Sequence, residues 1–167
     1  GAIAGRMNIT QGALFRHFAS KEAIWQAVVE LVTQRLLARV DQAAQTEKSP
    51  LDELEGVFMA HIDSLVRHAG VPRIIFGELQ RSEDTLVKCQ VRQFMGQYAA
   101  RLQAIIEQGK AGGDISPEVD AKAAAILFIG MIQGLVVQSL AAGNMGTAKG
   151  KAREVFALYL RAVGNAP

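Results

Sequence analysis

From Ala123 to Gly143 the chain carries no charged residue, and this stretch limits the fold more than any other. At a rise of ~1.5 Å per residue, a helix of this length is long enough to cross a bilayer. Against that, Gln133, Gln138 and Ser139 interrupt it, alanines dilute it, and neither flank carries the basic cluster or aromatic belt that anchors a span. A helix that is apolar all round can instead be buried on two sides, by its own domain and by a partner. Gly130 and Gly134, one turn apart, leave room for a second helix to cross closely. The expected partner is a second copy of the chain, not a membrane.

The rest of the sequence is helical as well. Ile3 to Met7 reads as the end of one helix and Thr10 to Phe18 as a short second one. Ser20 can cap a long third helix running to about Ala44, with Glu22 well placed at the positive end of its dipole. Its apolar residues Ile24, Ala27, Val28, Leu31, Val32, Leu36 and Val40 recur at three- and four-residue steps. After the break at Glu47-Lys48-Ser49-Pro50, a helix from Leu51 to His68 carries Leu51, Leu54, Phe58, Ile62 and Leu65 on one side. Gly70-Val71-Pro72 stops it, and Arg73 to Gln80 is a short apolar helix. From Glu83 to about Gln108 the stripe is Val87, Val91, Phe94, Tyr98, Leu102 and Ile105, ended by Gly109 and Gly112-Gly113. Helices from Pro117 to about Ala142 and from Thr147 to Val163 complete the chain. There is no strand-like alternation and no internal repeat, so the predicted fold is all-α.

The most informative segment runs from Ile3 to Glu22. Asn8 suits the left-handed position that ends a helix, Ile9 is an apolar plug, and Thr10 caps the next helix. Ala4, Ile9, Leu14 and Phe18 can form a small core that holds two helices at a steep angle, as in a helix-turn-helix. Gln11, Gly12 and Ala13 then lie in the first turn of the second helix, the part that enters a major groove. Gly12 and Ala13 allow close approach, and Gln11 can make a bidentate contact to adenine. Arg6, Arg16 and Lys21 against Glu22 account for the whole net charge of +2. Gly1-Ala2-Ile3 starts as though inside a structural element, so residues upstream are expected.

These residues resemble the DNA-binding head of the TetR family of bacterial transcriptional regulators. The family pattern is an Ile-Ala pair, a turn, Ser or Thr, a Gly or Pro two residues on, Leu/Ile-Tyr-x-His-Phe and Ser-Lys-Glu. Here it reads Ile3-Ala4, Asn8-Ile9-Thr10, Gly12, Leu14-Phe15-Arg16-His17-Phe18 and Ser20-Lys21-Glu22. The resemblance implies phosphate contacts from Thr10, Phe15, His17 and Lys21, base-edge contacts from Gln11, Gly12 and Ala13, and a flanking positive charge at Arg16. Phe15 departs from the usual tyrosine and loses a hydroxyl, a hydrogen bond of ~0.5–1.5 kcal/mol. Asn8 replaces the usual glycine, and the head's first helix is absent. The domain division expected is a truncated head over 1–22 and a ligand-binding and dimerisation body over 23–167.

For the body, the resemblance implies an inducer site and a homodimer formed by the last two helices. Gly130, Gly134, Phe156 and Tyr159 are the candidate interface residues. His61 and His68 share a stripe with Leu54, Phe58 and Leu65. A histidine there is either a satisfied core residue or a polar handle in an apolar cavity. Phe58, His61, Phe94 and Tyr98 are the candidate ligand-binding residues, with Glu78, Gln93 and Gln97 as further polar groups and Met59, Met95 and Met131 as adaptable packing.

Several classes are excluded or disfavoured. A single cysteine, Cys89, rules out an internal disulfide and a multi-thiolate zinc site and suits a reducing cytoplasm. It lies off its helix's main stripe and reads as inert and buried, not as a redox sensor. No signal peptide opens the sequence. Neither a His-Glu-x-x-His pair, nor a phosphate loop, nor a local Ser/His/Asp signature is present, so no enzyme, metal or cofactor is expected. The reading is a cytoplasmic, ligand-responsive repressor of double-stranded operator DNA. The alternative is a helical protein-interaction module without DNA binding.

Overall fold

Side-chain caps fix where most helices begin. In the computed structural model, which describes residues 18–46 and 49–164, six helices follow one another: α1 Lys21–Thr46, α2 Pro50–Arg67, α3 Gly70–Leu79, α4 Leu86–Gly112, α5 Ala121–Ala141 and α6 Gly146–Val163. Ser20 Oγ accepts from the Ala23 N–H at 3.1 Å and opens α1. Ser49, Thr85 and Asp120 open α2, α4 and α5 in the same way, at 3.2, 3.1 and 2.7 Å. Each satisfies an otherwise free N–H, a gain of ~1 kcal/mol per cap.

Three breaks differ from the sequence reading. Pro72 does not stop a helix; it sits in the first turn of α3, where its missing N–H leaves nothing unpaired. Gly109 lies inside α4, and of the expected stops it is the Gly112-Gly113 pair that ends the helix, with Gly113 at φ +85. A Cβ on Gly109 would sit 2.7 Å from Ile115 Cδ1 and 3.2 Å from Pro50 Cβ, so this glycine makes room for Ile115. Pro117 lies in the loop ahead of α5, which Asp120 caps.

α4 is the central helix, packed against α1, α2, α3 and α5, while α6 closes over α2 and α5. The core joins Leu54, Phe58, Tyr98, Leu102, Phe128 and Phe156 in one cluster. Phe128 stands edge-on to Phe58, Phe156 and Tyr159, at centroid distances of 5.4, 6.3 and 5.7 Å. The Tyr159 hydroxyl donates to Ala124 O at 3.2 Å and ties α6 to α5. Ile115, fully buried, is held by a short bridge to Gly164, with Ser116 N donating to Val163 O at 3.0 Å. On α1 the stripe is shifted from expectation: Val29 is buried against Val87 and Val91, while Leu31 is 47% exposed.

The inner face of α5 carries Phe128, Ile132, Leu135 and Val136 into this core. Its length and apolarity alone match a membrane span. Its outer face is apolar too: Ile126, Leu127 and Val137 are exposed, beside Leu158 of α6.

Candidate functional site

The inward stripe of α2 places one polar side chain, His61, one turn beyond Phe58. There it meets Tyr98 of α4, with Nδ1 3.0 Å from the hydroxyl and the rings edge-on at 5.3 Å. His61 is 8% exposed and Tyr98 fully buried. Removal from water disfavours charge, so burial pushes the His61 pKa down to about 3 and the Tyr98 hydroxyl up. Near pH 7 the pair is uncharged. Phe94 stacks on Tyr98 at 5.5 Å, a turn earlier on α4.

His61, Phe94 and Tyr98 form the deep wall of an apolar cleft of about 80 Å³. Its other walls come from α3, through Ile75, Phe76 and Leu79, and from α5, through Ile132 and Gln133. The cleft opens where Leu79 and Gln133 are exposed. On the far side of His61 and Phe94 lies a smaller void of about 40 Å³, reaching Thr33 and Leu36 of α1. Drug-sized ligands occupy ~300–1,000 Å³, so a ligand of that size must widen the cleft. α3 is the wall best able to yield. It lacks a side-chain cap, and only Val71 and Pro72 of its residues are buried.

α3 also leads to the start of α1. Glu78 accepts from Thr85 Oγ1 at 2.7 Å and pairs with Arg81 at 3.7 Å; Arg81 pairs with Glu83 at 3.2 Å. Together with Lys21, Glu22 and Trp25, the side chains of Glu78, Arg81 and Thr85 line a hollow of about 520 Å³. It is larger than the apolar cleft, but Lys21, Glu22, Glu78 and Arg81 share its walls with Trp25, Leu86 and Val87 at a junction of helices. It reads as a joint and not as a seat for an apolar molecule.

Of the four expected ligand-binding residues, the structure brings three together and leaves Phe58 out. Phe58 is fully buried against Phe128 and Phe156 and does not line the cleft. Gln93 and Gln97 are exposed along a separate groove shared with Gln34 and Leu37 of α1, and Glu78 belongs to the joint. Met95 lines the cleft, whereas Met59 and Met131 border the main core. His68 is occupied at the end of α2, with Nδ1 2.9 Å from Ser64 O. The cleft residues that sequence reasoning missed, Phe76 and Leu79, lie on the helix it had marked as short and apolar.

At the expected dimer face, Gly130 and Gly134 look out from α5 with open space where a Cβ would stand. Phe156 and Tyr159 point the other way. Each is 1% exposed and belongs to the subunit's own aromatic core, so neither is an interface residue in this structure. Cys89 is exposed, not buried, with Arg92 Nη2 3.7 Å from its sulfur. Thr10, Gln11, Gly12, Ala13, Phe15, Arg16 and His17 lie outside the described residues. Lys21 is the exposed first residue of α1.

Residues 78–155 match the family described as tetracyclin repressor-like, C-terminal domain. Over 132 residues the chain is 24% identical to the nucleoid occlusion factor SlmA of Vibrio atlanticus, spanning 79% of this chain and 67% of that protein. The structure is similar to the ketosteroid transcriptional regulator KstR2 of Mycobacterium tuberculosis, with a TM-score of 0.78 at 23% identity over 98% of this chain and 83% of that one. It is similar also to the transcriptional regulator FadR of Bacillus subtilis, solved in complex with stearoyl-CoA, with a TM-score of 0.77 at 18% identity over 95% and 84% of the two chains. The structural likenesses establish a common all-α fold, and the domain match covers α4, α5 and the first part of α6. Over residues 78–155, a little under half of its length, the chain is similar to the C-terminal domain of TetR-type repressors.

Proposed function

We propose that this chain is a ligand-responsive, DNA-binding transcriptional regulator. It acts as a dimeric repressor that leaves a palindromic operator when a small apolar or amphipathic molecule enters the cleft. The observation that carries this reading is the double role of α3, which walls the cleft through Phe76 and Leu79 and, through Glu78 and the following Arg81, reaches the start of α1. The cleft is bounded by α2, α3, α4 and α5, and α1 is not among its walls. Motion therefore passes to α1 through α3. Two structural neighbours support an apolar ligand, one being a ketosteroid regulator by name and the other solved with stearoyl-CoA.

Residues 1–22 act as the head in this reading. Thr10, Phe15, His17 and Lys21 meet phosphates, Gln11, Gly12 and Ala13 meet base edges, and Arg16 adds local positive charge. Residues 23–167 form the body, and the outer faces of α5 and α6 pair two copies. Two-fold pairing presents two recognition helices to major grooves ~34 Å apart. A ligand that favours one head spacing by ~1–3 kcal/mol lowers operator affinity ~5- to 150-fold.

Binding to a generic DNA duplex across a salt series tests the reading. Affinity should fall steeply with salt, and Lys21→Ala should flatten the slope by about one unit. A wild-type affinity indifferent to salt overturns the DNA-binding role. Gly134→Leu tests the dimer cleanly, because a Cβ there meets nothing within its own subunit. The variant should sediment as a folded monomer; an unchanged dimer refutes the α5 contact.

A further inference from the structure

The deep end of the cleft offers a ligand one polar group, and its proton can be placed. His61 Nδ1 and the Tyr98 hydroxyl lie 3.0 Å apart, so one of them donates to the other. Tyr98 is fully buried and makes no other hydrogen bond among the described residues. If Nδ1 donated, the tyrosine proton would be stranded among apolar side chains, at the full cost of an unmade buried hydrogen bond. If the tyrosine donates to Nδ1, both groups are satisfied. A neutral imidazole that accepts at Nδ1 carries its proton on Nε2. Among the described residues that second nitrogen has no partner, on a side chain more than nine-tenths buried.

The remaining walls sharpen the specificity. Among the described residues no lysine, arginine, aspartate or glutamate lines the cleft, and Gln133 is the only other polar side chain, exposed at the mouth. We infer that the cleft takes an uncharged, mainly apolar molecule that presents a ketone or ester oxygen to the Nε2–H of His61, and that it rejects carboxylates. The inference rests on the reading of this cleft as the ligand site. A carboxylate would need a cation, and His61 resists becoming one because its burial already disfavours charge. A hydrocarbon of the same shape fills the space but leaves the Nε2–H unmatched.

The test uses the full chain with its histidines labelled with nitrogen-15. Imidazole proton–nitrogen correlations at pH 7 should show His61 protonated on Nε2 alone. Titrations then compare cyclohexanone with methylenecyclohexane, which lacks the oxygen, and with cyclohexanecarboxylate. Cyclohexanone should shift the Nε2 resonance and bind about 2- to 12-fold more tightly than methylenecyclohexane, the worth of one neutral hydrogen bond. The carboxylate should bind most weakly. Tyr98→Phe keeps the ring but frees the tautomer, so the preference for the ketone should shrink; His61→Phe should abolish it. A proton on Nδ1, equal affinity for ketone and alkene, no ketone binding, or tighter carboxylate binding overturns the inference. Duplex binding is followed on the same samples. A ketone preference without any effect on DNA sinks the regulatory reading alone, whereas DNA release by ligands that show no such preference sinks the ligand class alone.

Discussion

Phe58 and His61 stand one turn apart on α2, yet the space around them differs in kind. Around Phe58 the rings of Phe128, Phe156 and Tyr159 interlock, because Ala124, Ala125, Ala148 and Ala152 let α5 and α6 come close. Around His61 the rings of Phe94 and Tyr98 border an unfilled cleft, closed on one side by a ten-residue helix without a side-chain cap. Aromatic content is similar in the two regions. What separates them is whether the neighbouring helices can close on the rings, so one core contains a stiff part and a compliant part.

The largest test of that contrast is truncation on each side. Phe128→Ala should lower unfolding free energy by ~3–5 kcal/mol in urea titrations. Phe76→Ala, on the half-buried lid, should cost under ~1 kcal/mol. Equal losses would erase the distinction. Gly109→Ala should cost ~1–3 kcal/mol, since its Cβ would meet Ile115 at 2.7 Å. Gly130→Ala, facing open space, should leave the fold of the subunit unharmed or slightly firmer. A neutral outcome at Gly109 would show that the Ile115 seat yields.

His61 adds a dependence on pH confined to the compliant part. The unfolded chain takes up a proton below the ordinary histidine value of 6.5, whereas the fold resists until about pH 3. Stability should therefore fall as pH drops through that window, by about 1.4 kcal/mol per unit. Denaturation at pH 6.5 and 5.5 should show this component in the wild type and lose it in His61→Gln. An identical pH response in both would mean that the imidazole is charged or hydrated in the fold. The smallest effect belongs to the surface pair of Arg101 and Asp41, joined at 2.6 and 3.1 Å between α4 and α1. Arg101→Ala should cost ~0.2–1 kcal/mol, and less in high salt.

Much of this was legible in the sequence. The stripe from Val87 to Ile105 is buried as periodicity implies, and His61, Phe94 and Tyr98 do meet. Errors arose where a residue type has two physical uses. Gly109 reads as a helix end but serves a close contact, and Pro72 reads as a stop but begins a helix. Phe156 and Tyr159 read as interface because α6 has apolar residues on more than one side. Its alanines Ala148 and Ala152 mark the inward face, and Leu158 points out. Cys89 misled for a related reason, since its neighbours Val87 and Val91 are buried while its own position turns outward. Periodicity finds an apolar face but cannot say what will cover it.

Trp25, the chain's one tryptophan, stands near the beginning of α1, against Val29, Val87 and Val91 and at the edge of the hollow with Glu78 and Arg81. The molecule thus carries a built-in optical probe at its joint, in the same apolar cluster as Ile75 and Met95 of the cleft wall. Excited selectively over Tyr98 and Tyr159, the single indole leaves no second tryptophan signal to subtract. Any shift in indole emission colour or quenching reports water and charge arriving at that joint, in unlabelled protein and in real time.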